Sequence, residues 1–198
     1  MDNVHGSVEV MAEFRRSDYE RIVQRLEGLA DRMTIRKAIN LAAKRAAQTG
    51  VTMTKRGIAA DYTIKQGDIA NRVSVYQIGS ALGMMIGMKI SDTARPLSAF
   101  SFTPKKPNQK PPTVEVKKGE KTTLTKGAFV APVKAGEKQH VGIFERIGES
   151  RLPIRQLPGP SVTGMFKANE EVHNKVWDAM FETFEKRVEH ELERLLNG

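Results

Sequence analysis

Val172-His173-Asn174-Lys175-Val176-Trp177-Asp178-Ala179-Met180-Phe181-Glu182-Thr183-Phe184-Glu185-Lys186-Arg187-Val188-Glu189-His190-Glu191-Leu192-Glu193-Arg194-Leu195-Leu196 is the clearest element in the sequence. Val172, Val176, Trp177, Met180, Phe181, Phe184, Val188, Leu192, Leu195 and Leu196 keep helical spacing and form one apolar face. From Lys167 onward the polar face carries eight acids (Glu170, Glu171, Asp178, Glu182, Glu185, Glu189, Glu191, Glu193) against five Lys or Arg. Upstream, Leu152-Pro153-Ile154-Arg155-Gln156-Leu157-Pro158-Gly159-Pro160-Ser161-Val162 reads as an extended connection, with Ser161 placed to cap the segment after it. Further back lie three predicted strands at 113–117, 127–133 and 140–146, the last two separated by a turn at Ala135-Gly136-Glu137-Lys138. Before them Val73, Val75 and Tyr76 lead through Gly79-Ser80, read as the turn, into 81–90, which predicts a hairpin.

The N-terminal part is helical in pattern. Ser17-Asp18-Tyr19-Glu20 is a capping box, and Tyr19, Ile22, Val23, Leu26, Leu29, Ala30 and Met33 give one apolar face behind it. A second helix, capped by Thr34 or continuous with the first, carries Ala38, Ile39, Ala42, Ala43 and Ala46 and extends to about Ala60. Its small side chains permit close approach to a neighbour. A short helix is expected over 64–72. Residues 91–112 read as a loop or flexible arm, since 103–112 hold four prolines and three lysines. Helices, then strands, then a helix is an α+β order without the β-α-β alternation of nucleotide-binding folds. The expected fold is α+β, with N-terminal amphipathic helices and a long C-terminal helix packed on a small, mostly antiparallel sheet. Residues 1–16 read as an arm or a short strand, with Val8, Val10 and Phe14 alternating weakly, and 17–198 as a single domain.

The 198 residues carry 32 Lys+Arg against 23 Asp+Glu, a net charge of +9, and no cysteine. Disulfide frameworks, cysteine–zinc sites and thiol catalysis are excluded. No apolar run is long enough to cross a bilayer, and Met1-Asp2-Asn3-Val4-His5 does not read as a signal peptide. No membrane partner is expected. Gly119-Glu120-Lys121-Thr122 lacks the upstream glycine of a phosphate loop and reads as a hairpin turn, and no Gly-x-Ser-x-Gly elbow occurs. His5, His140, His173 and His190 show no metal-ligand spacing, and His190-Glu191 reads as a solvated face. The expectation is no catalytic residue, no metal, no cofactor and no enzyme.

The positive charge has two locations. Thr34 to Ala60 holds Arg36, Lys37, Lys44, Arg45, Lys55 and Arg56 with no acid, and Lys37, Lys44 and Lys55 fall along one helical stripe. Lys105, Lys106 and Lys110 form the second location. These nine are the candidate partner- or DNA-contacting residues, because cations spaced along a helix can neutralise phosphates or meet an acidic protein. A basic nucleic-acid-binding or chaperone-like protein is the alternative reading.

Four features together resemble the minor tail protein Z family of tailed phages and prophages, also described as tail completion proteins. These are the Tyr19–Met33 helix leading into the basic alanine-rich helix, the strands with a Lys/Pro-rich segment, and the runs Gly127-Ala128-Phe129 and His140-Val141-Gly142-Ile143-Phe144-Glu145-Arg146. The fourth and most specific is the run containing Pro153, Ile154, Leu157, Gly159, Pro160 and Ser161. The resemblance spans about 17–196. It implies a non-enzymatic structural virion protein, present in the host cytoplasm during assembly, acting in tail completion and head–tail joining near the genome end. It brings no catalytic residues. The implied partners are other tail or neck proteins and further copies in a homo-oligomeric ring, with the positive charge facing DNA or an acidic neighbour.

Overall fold

A computed structural model describes residues 10–13, 24, 26–28, 30–80, 83–107, 110–135 and 138–197. The capping box and most of the helix expected behind it lie outside the described residues; Leu26 and Ala30 pack against the core. The alanine-rich stretch is one helix, α1 (Arg32–Asp61). Its cap is Asp31, one turn earlier than the expected Thr34, because the Asp31 carboxylate accepts the Met33 and Thr34 backbone N–H groups at 2.9 and 3.1 Å. Met33 thereby falls in the first turn of α1 with 65 % of its surface exposed, rather than on an apolar face.

A short helix α2 (Gln66–Ala70) leads into β2 (Val73–Ser80), which pairs antiparallel with β3 (Gly83–Ile90). Gly79 and Ser80, expected as the turn, pair with Met84 and Gly83 and so belong to the strand. β1 (Val10–Glu13) adds to the other side of β3, giving the order β1-β3-β2. The segment expected as loop over 91–112 contains β4 (Arg95–Pro96), a 3-10 turn (Leu97–Ala99) and β5 (Ser101–Thr103). Phe100 and Phe102 from this stretch enter the core.

β5, β6 (Thr113–Glu115) and β7 (Lys121–Thr123) form a second antiparallel sheet. Its β6–β7 connection contains Gly119-Glu120, where Gly119 adopts φ +85 and the Glu115 carboxylate accepts the Gly119 N–H at 2.7 Å. The third sheet has the order β8-β9-β10, from β8 (Ala128–Ala135), β9 (Lys138–Arg146) and β10 (Ile154–Gln156). The chain then pairs β11 (Pro158–Gly159) with β4 and ends in α3 (Val162–Lys167) and α4 (Glu170–Leu196).

α1 and α4 run antiparallel against each other. Asp61 accepts a hydrogen bond from Asn169, the cap of α4, while the Thr183 hydroxyl donates to Thr49 at 3.3 Å further along. Between those points α1 places glycines where α4 presses closest. A Cβ added at Gly50 would stand 2.4 Å from Met180 Sδ, and one at Gly57 would stand 2.5 Å from Val172 Cγ1. The alanine stripe (Ala38, Ala42, Ala43, Ala46, Ala47) is buried, as are Val176, Met180, Phe184, Val188 and Leu192 of α4. On its sheet side the Thr54 hydroxyl donates to Met88 Sδ at 3.2 Å, giving the buried hydroxyl of α1 a partner on β3. The result is a mixed α+β fold of long helices and small antiparallel sheets.

Candidate partner interface

α1 buries a wide arc; five of its cations stay outside that arc, while Arg36 lies within it with its Nε buried. Lys37, Lys44, Arg45 and Arg56 are exposed; Lys55 and Arg36 are half-buried. At 3.6 residues per turn, Lys37 and Lys55 are about five turns apart, with Lys44 about two turns after Lys37, so the three form one rail. Arg45 and Arg56 are about three turns apart and form a second rail. Leu41, 37 % exposed, and the exposed Gln48 lie between the rails. Among the described residues, none of the five rail cations is in a salt bridge.

The outer face of α4 has the opposite sign. Glu171, Asp178, Glu182, Glu185, Glu189 and Glu193 recur at steps of seven, four, three, four and four, which keeps them on one exposed stripe. Lys175 binds Glu171 at 2.5 Å and Lys186 binds Glu182 at 2.6 Å; these donors hold both carboxyls below their ordinary values. Asp178, Glu185, Glu189 and Glu193 have no salt bridge among the described residues. Phe181 and Leu196, expected in the apolar face, are 58 % and 51 % exposed. Both fall on the side of α4 turned away from α1. Glu191, expected on a solvated face, is instead buried and paired with Arg194 at 2.9 Å. His173 accepts the Trp177 indole N–H at 3.0 Å and meets the Phe166 ring edge-on, so it serves packing; His140 and His190 are exposed.

In the Lys/Pro segment, Lys105 places its ammonium 3.6 Å from the Phe102 ring centre, a cation–π contact. Burial first, and the positive charge of Lys65 second, hold the Lys105 ammonium below its ordinary pKa. Lys106 and Lys110 are exposed. The structure thus separates eight of the nine cations into α1 rails and a loop group, and leaves Arg36 half-buried on neither rail.

The proline-rich run works as a strap. The Pro153 carbonyl accepts the Ile147 N–H, and Ile154 pairs with Arg146 at the edge of the third sheet. Leu157 donates its N–H to Ile143 and accepts that of Leu97, crossing from the third sheet to β4. Gly159 is required by crowding, since a Cβ there would stand 2.9 Å from the Phe100 ring and 3.0 Å from Leu97. After Pro160, the Ser161 hydroxyl caps α3 by accepting the Gly164 N–H at 3.0 Å. The adjoining Val162 N–H is bound by Asp92 Oδ2 at 3.1 Å. The Asp92 side chain is fully buried, and its Oδ1 lies 3.3 Å from Arg72 Nε and 3.9 Å from Arg95. Sequence reasoning missed Asp92; a lone acid between a strand and a loop carries no periodic or motif signal.

Two open grooves flank these elements. One of about 430 Å³ lies between Tyr62, Val114, Leu124 and Met165; another of about 420 Å³ lies between Phe129, Pro132, Arg146 and Ile154. No cluster of three or more metal-ligating side chains occurs among the described residues. Nor is any described helix long and apolar enough to cross a membrane.

Residues 19–197 match the family model of prophage minor tail protein Z. The chain belongs to that family. Neither a curated protein nor a solved structure matches it significantly. Membership makes the chain a structural protein of a phage tail, hence a virion component whose partners are other tail proteins. The matched span contains both charged helix faces, the Lys/Pro segment and the strap.

Proposed function

We propose that this tail protein completes the tail and joins it to the head through protein–protein contacts, as a ring of copies near the genome end. The family match over 19–197 carries the reading. The geometry supports it: Lys37, Lys44, Arg45, Lys55 and Arg56 line an exposed helix face and form no salt bridge within the described fold, leaving them available to a neighbour. In this reading the site works by binding, not by bond chemistry. Lys106 and Lys110, both exposed, make a second contact.

The test is deletion of the gene in an inducible lysogen, followed by electron microscopy and mass spectrometry of purified particles. The expected outcome is that wild-type virions contain the chain, whereas deletion leaves filled heads and tails unjoined. Normal, infective particles from the deletion strain overturn the proposal. The basic rails also favour a second reading, direct contact with the genome end. That reading requires duplex-DNA affinity that falls steeply with salt and weakens when the rails are neutralised.

A further inference from the structure

α1 and α4 lie side by side, yet their outward faces carry opposite charge. We propose that the exposed face of α1 is the docking surface for the acidic stripe of α4 on a second copy of this chain. The inference rests on the self-association reading above and names the surfaces that make it. On one side stand two rails, Lys37, Lys44 and Lys55, and Arg45 and Arg56, with Leu41 between them. On the other stand Asp178, Glu185, Glu189 and Glu193, with no salt bridge among the described residues, and Phe181 58 % exposed beside them.

Three observations select a second copy as the occupant. The two faces are complementary in sign, which steers encounter and sets register. Both are helical surfaces of similar length, 30 and 27 residues, so charge meets charge over several turns. Each also presents an apolar side chain, Leu41 or Phe181, where association would remove hydrocarbon from water. Every copy carries both halves, so the set closes as a ring or as a two-fold pair.

The experiment is sedimentation velocity of the full chain at about 50 mM and about 500 mM NaCl, a range over which screening of exposed charges increases strongly. Two variants accompany it: Lys44→Glu with Arg45→Glu on α1, and Glu185→Lys with Glu189→Lys on α4. All four positions are exposed, and matching circular dichroism melts certify the folds. The wild type is expected to associate at low salt and dissociate at high salt. Each variant alone places like charges together and weakens association by about tenfold or more. An equimolar mixture of the two restores association, because the reversed α1 then meets the reversed α4.

Four results overturn the contact: a wild type monomeric at low salt, a salt-insensitive oligomer, variants that associate like the wild type, or a mixture that stays monomeric. Loss of duplex-DNA binding in the α1 variant with association unchanged overturns it too, and assigns the face to nucleic acid. A salt-insensitive oligomer keeps the ring while removing this contact. The tail assignment is read separately, from the presence of the chain in purified virions.

Discussion

Gly57→Ala tests the closeness of the α1–α4 crossing. In an isolated helix this change is favourable by about 1 kcal/mol, because alanine restricts the unfolded chain and covers the helix backbone. Here the new methyl would stand 2.5 Å from Val172 Cγ1, 2.9 Å from Cγ2 and 3.3 Å from Cβ. Ordinary carbon–carbon contact is about 3.5–4.0 Å, so one helix must move by about 1 Å or Val172 must leave its rotamer. A β-branched side chain on a helix has essentially one comfortable χ1, and Asn169 capping anchors the first turn of α4 where Val172 sits. Overpacking of this kind costs about 1–3 kcal/mol. The costs exceed the propensity gain, and the expected net loss is about 1 kcal/mol, or about 2–4 °C in Tm for a chain of this size. Adding Val172→Ala removes the obstructing methyls, so the double variant recovers the helix-propensity gain and is more stable than independent effects predict. Urea unfolding followed by far-UV circular dichroism and by Trp177 fluorescence reads all four members of the cycle. The coupling expected is at least about 1 kcal/mol. If Gly57→Ala stabilises by the full propensity increment and adds to Val172→Ala within about 0.5 kcal/mol, the close approach is refuted.

Asp92→Ala leaves Arg95 and the Val162 N–H without their buried carboxylate; the expected cost in urea unfolding is about 3–5 kcal/mol, with Asp92→Asn milder because its carbonyl still accepts. A change below about 1 kcal/mol would show the buried cluster to be energetically idle. Ser161→Ala removes the α3 cap and should cost about 1 kcal/mol in the same assay, while Ser161→Asp retains most of it. The Asp31 carboxyl is held below 3.8 by its hydrogen bonds with Thr34 first, with the Met33 N–H and Lys37 contributing less. A depressed carboxylate contributes stability that is fully present above the unfolded-state value and is lost as pH falls through the folded-state value. The Tm gap between wild type and Asp31→Ala should therefore be open near neutral pH and close progressively below about pH 3.8. A gap that widens on acidification would contradict this.

Periodicity is what makes the two long helices legible in the sequence. The α4 apolar series and the α1 alanine series each repeat for many turns, so their type and pairing potential are visible from residue order alone. Boundaries are less visible, because they are decided by single hydrogen bonds: Asp31 rather than Thr34 starts α1, since the Asp31 side chain reaches two free N–H groups. Phe181 shows the limit of the pattern itself. It lies at helical spacing, but α1 covers only one side of α4, and spacing alone does not say how wide the covered arc is. Phe100 and Phe102 are hidden by their proline-rich surroundings, although a two-residue strand pair with β11 and a three-residue pair with β6 suffice to bring them into the core. The rail cations are legible because charge is local. Asp92 is not, because its role depends on Arg72, Arg95 and Val162, which are brought together only by the fold.

The most specific motif in the sequence, Pro153 to Ser161, is fastened to the fold through its backbone, while the side chains of Pro153, Ile154, Arg155, Gln156 and Pro158 are exposed. Its backbone groups bind β9 and β4, Gly159 fits where a Cβ would strike Phe100, and Ser161 spends its hydroxyl on α3. A motif whose backbone groups are consumed internally specifies architecture, and its loss would act on stability before it acted on partners. The surfaces left to choose partners are those that the motif does not touch: the α1 rails, the α4 stripe and the exposed lysines of the loop. On that argument, substitutions in the strap should lower assembly only in proportion to lost folded protein. Charge reversals on α1 or α4 should lower assembly while leaving the thermal melt unchanged, and it is this separation of stability from assembly that distinguishes the interface from its scaffold.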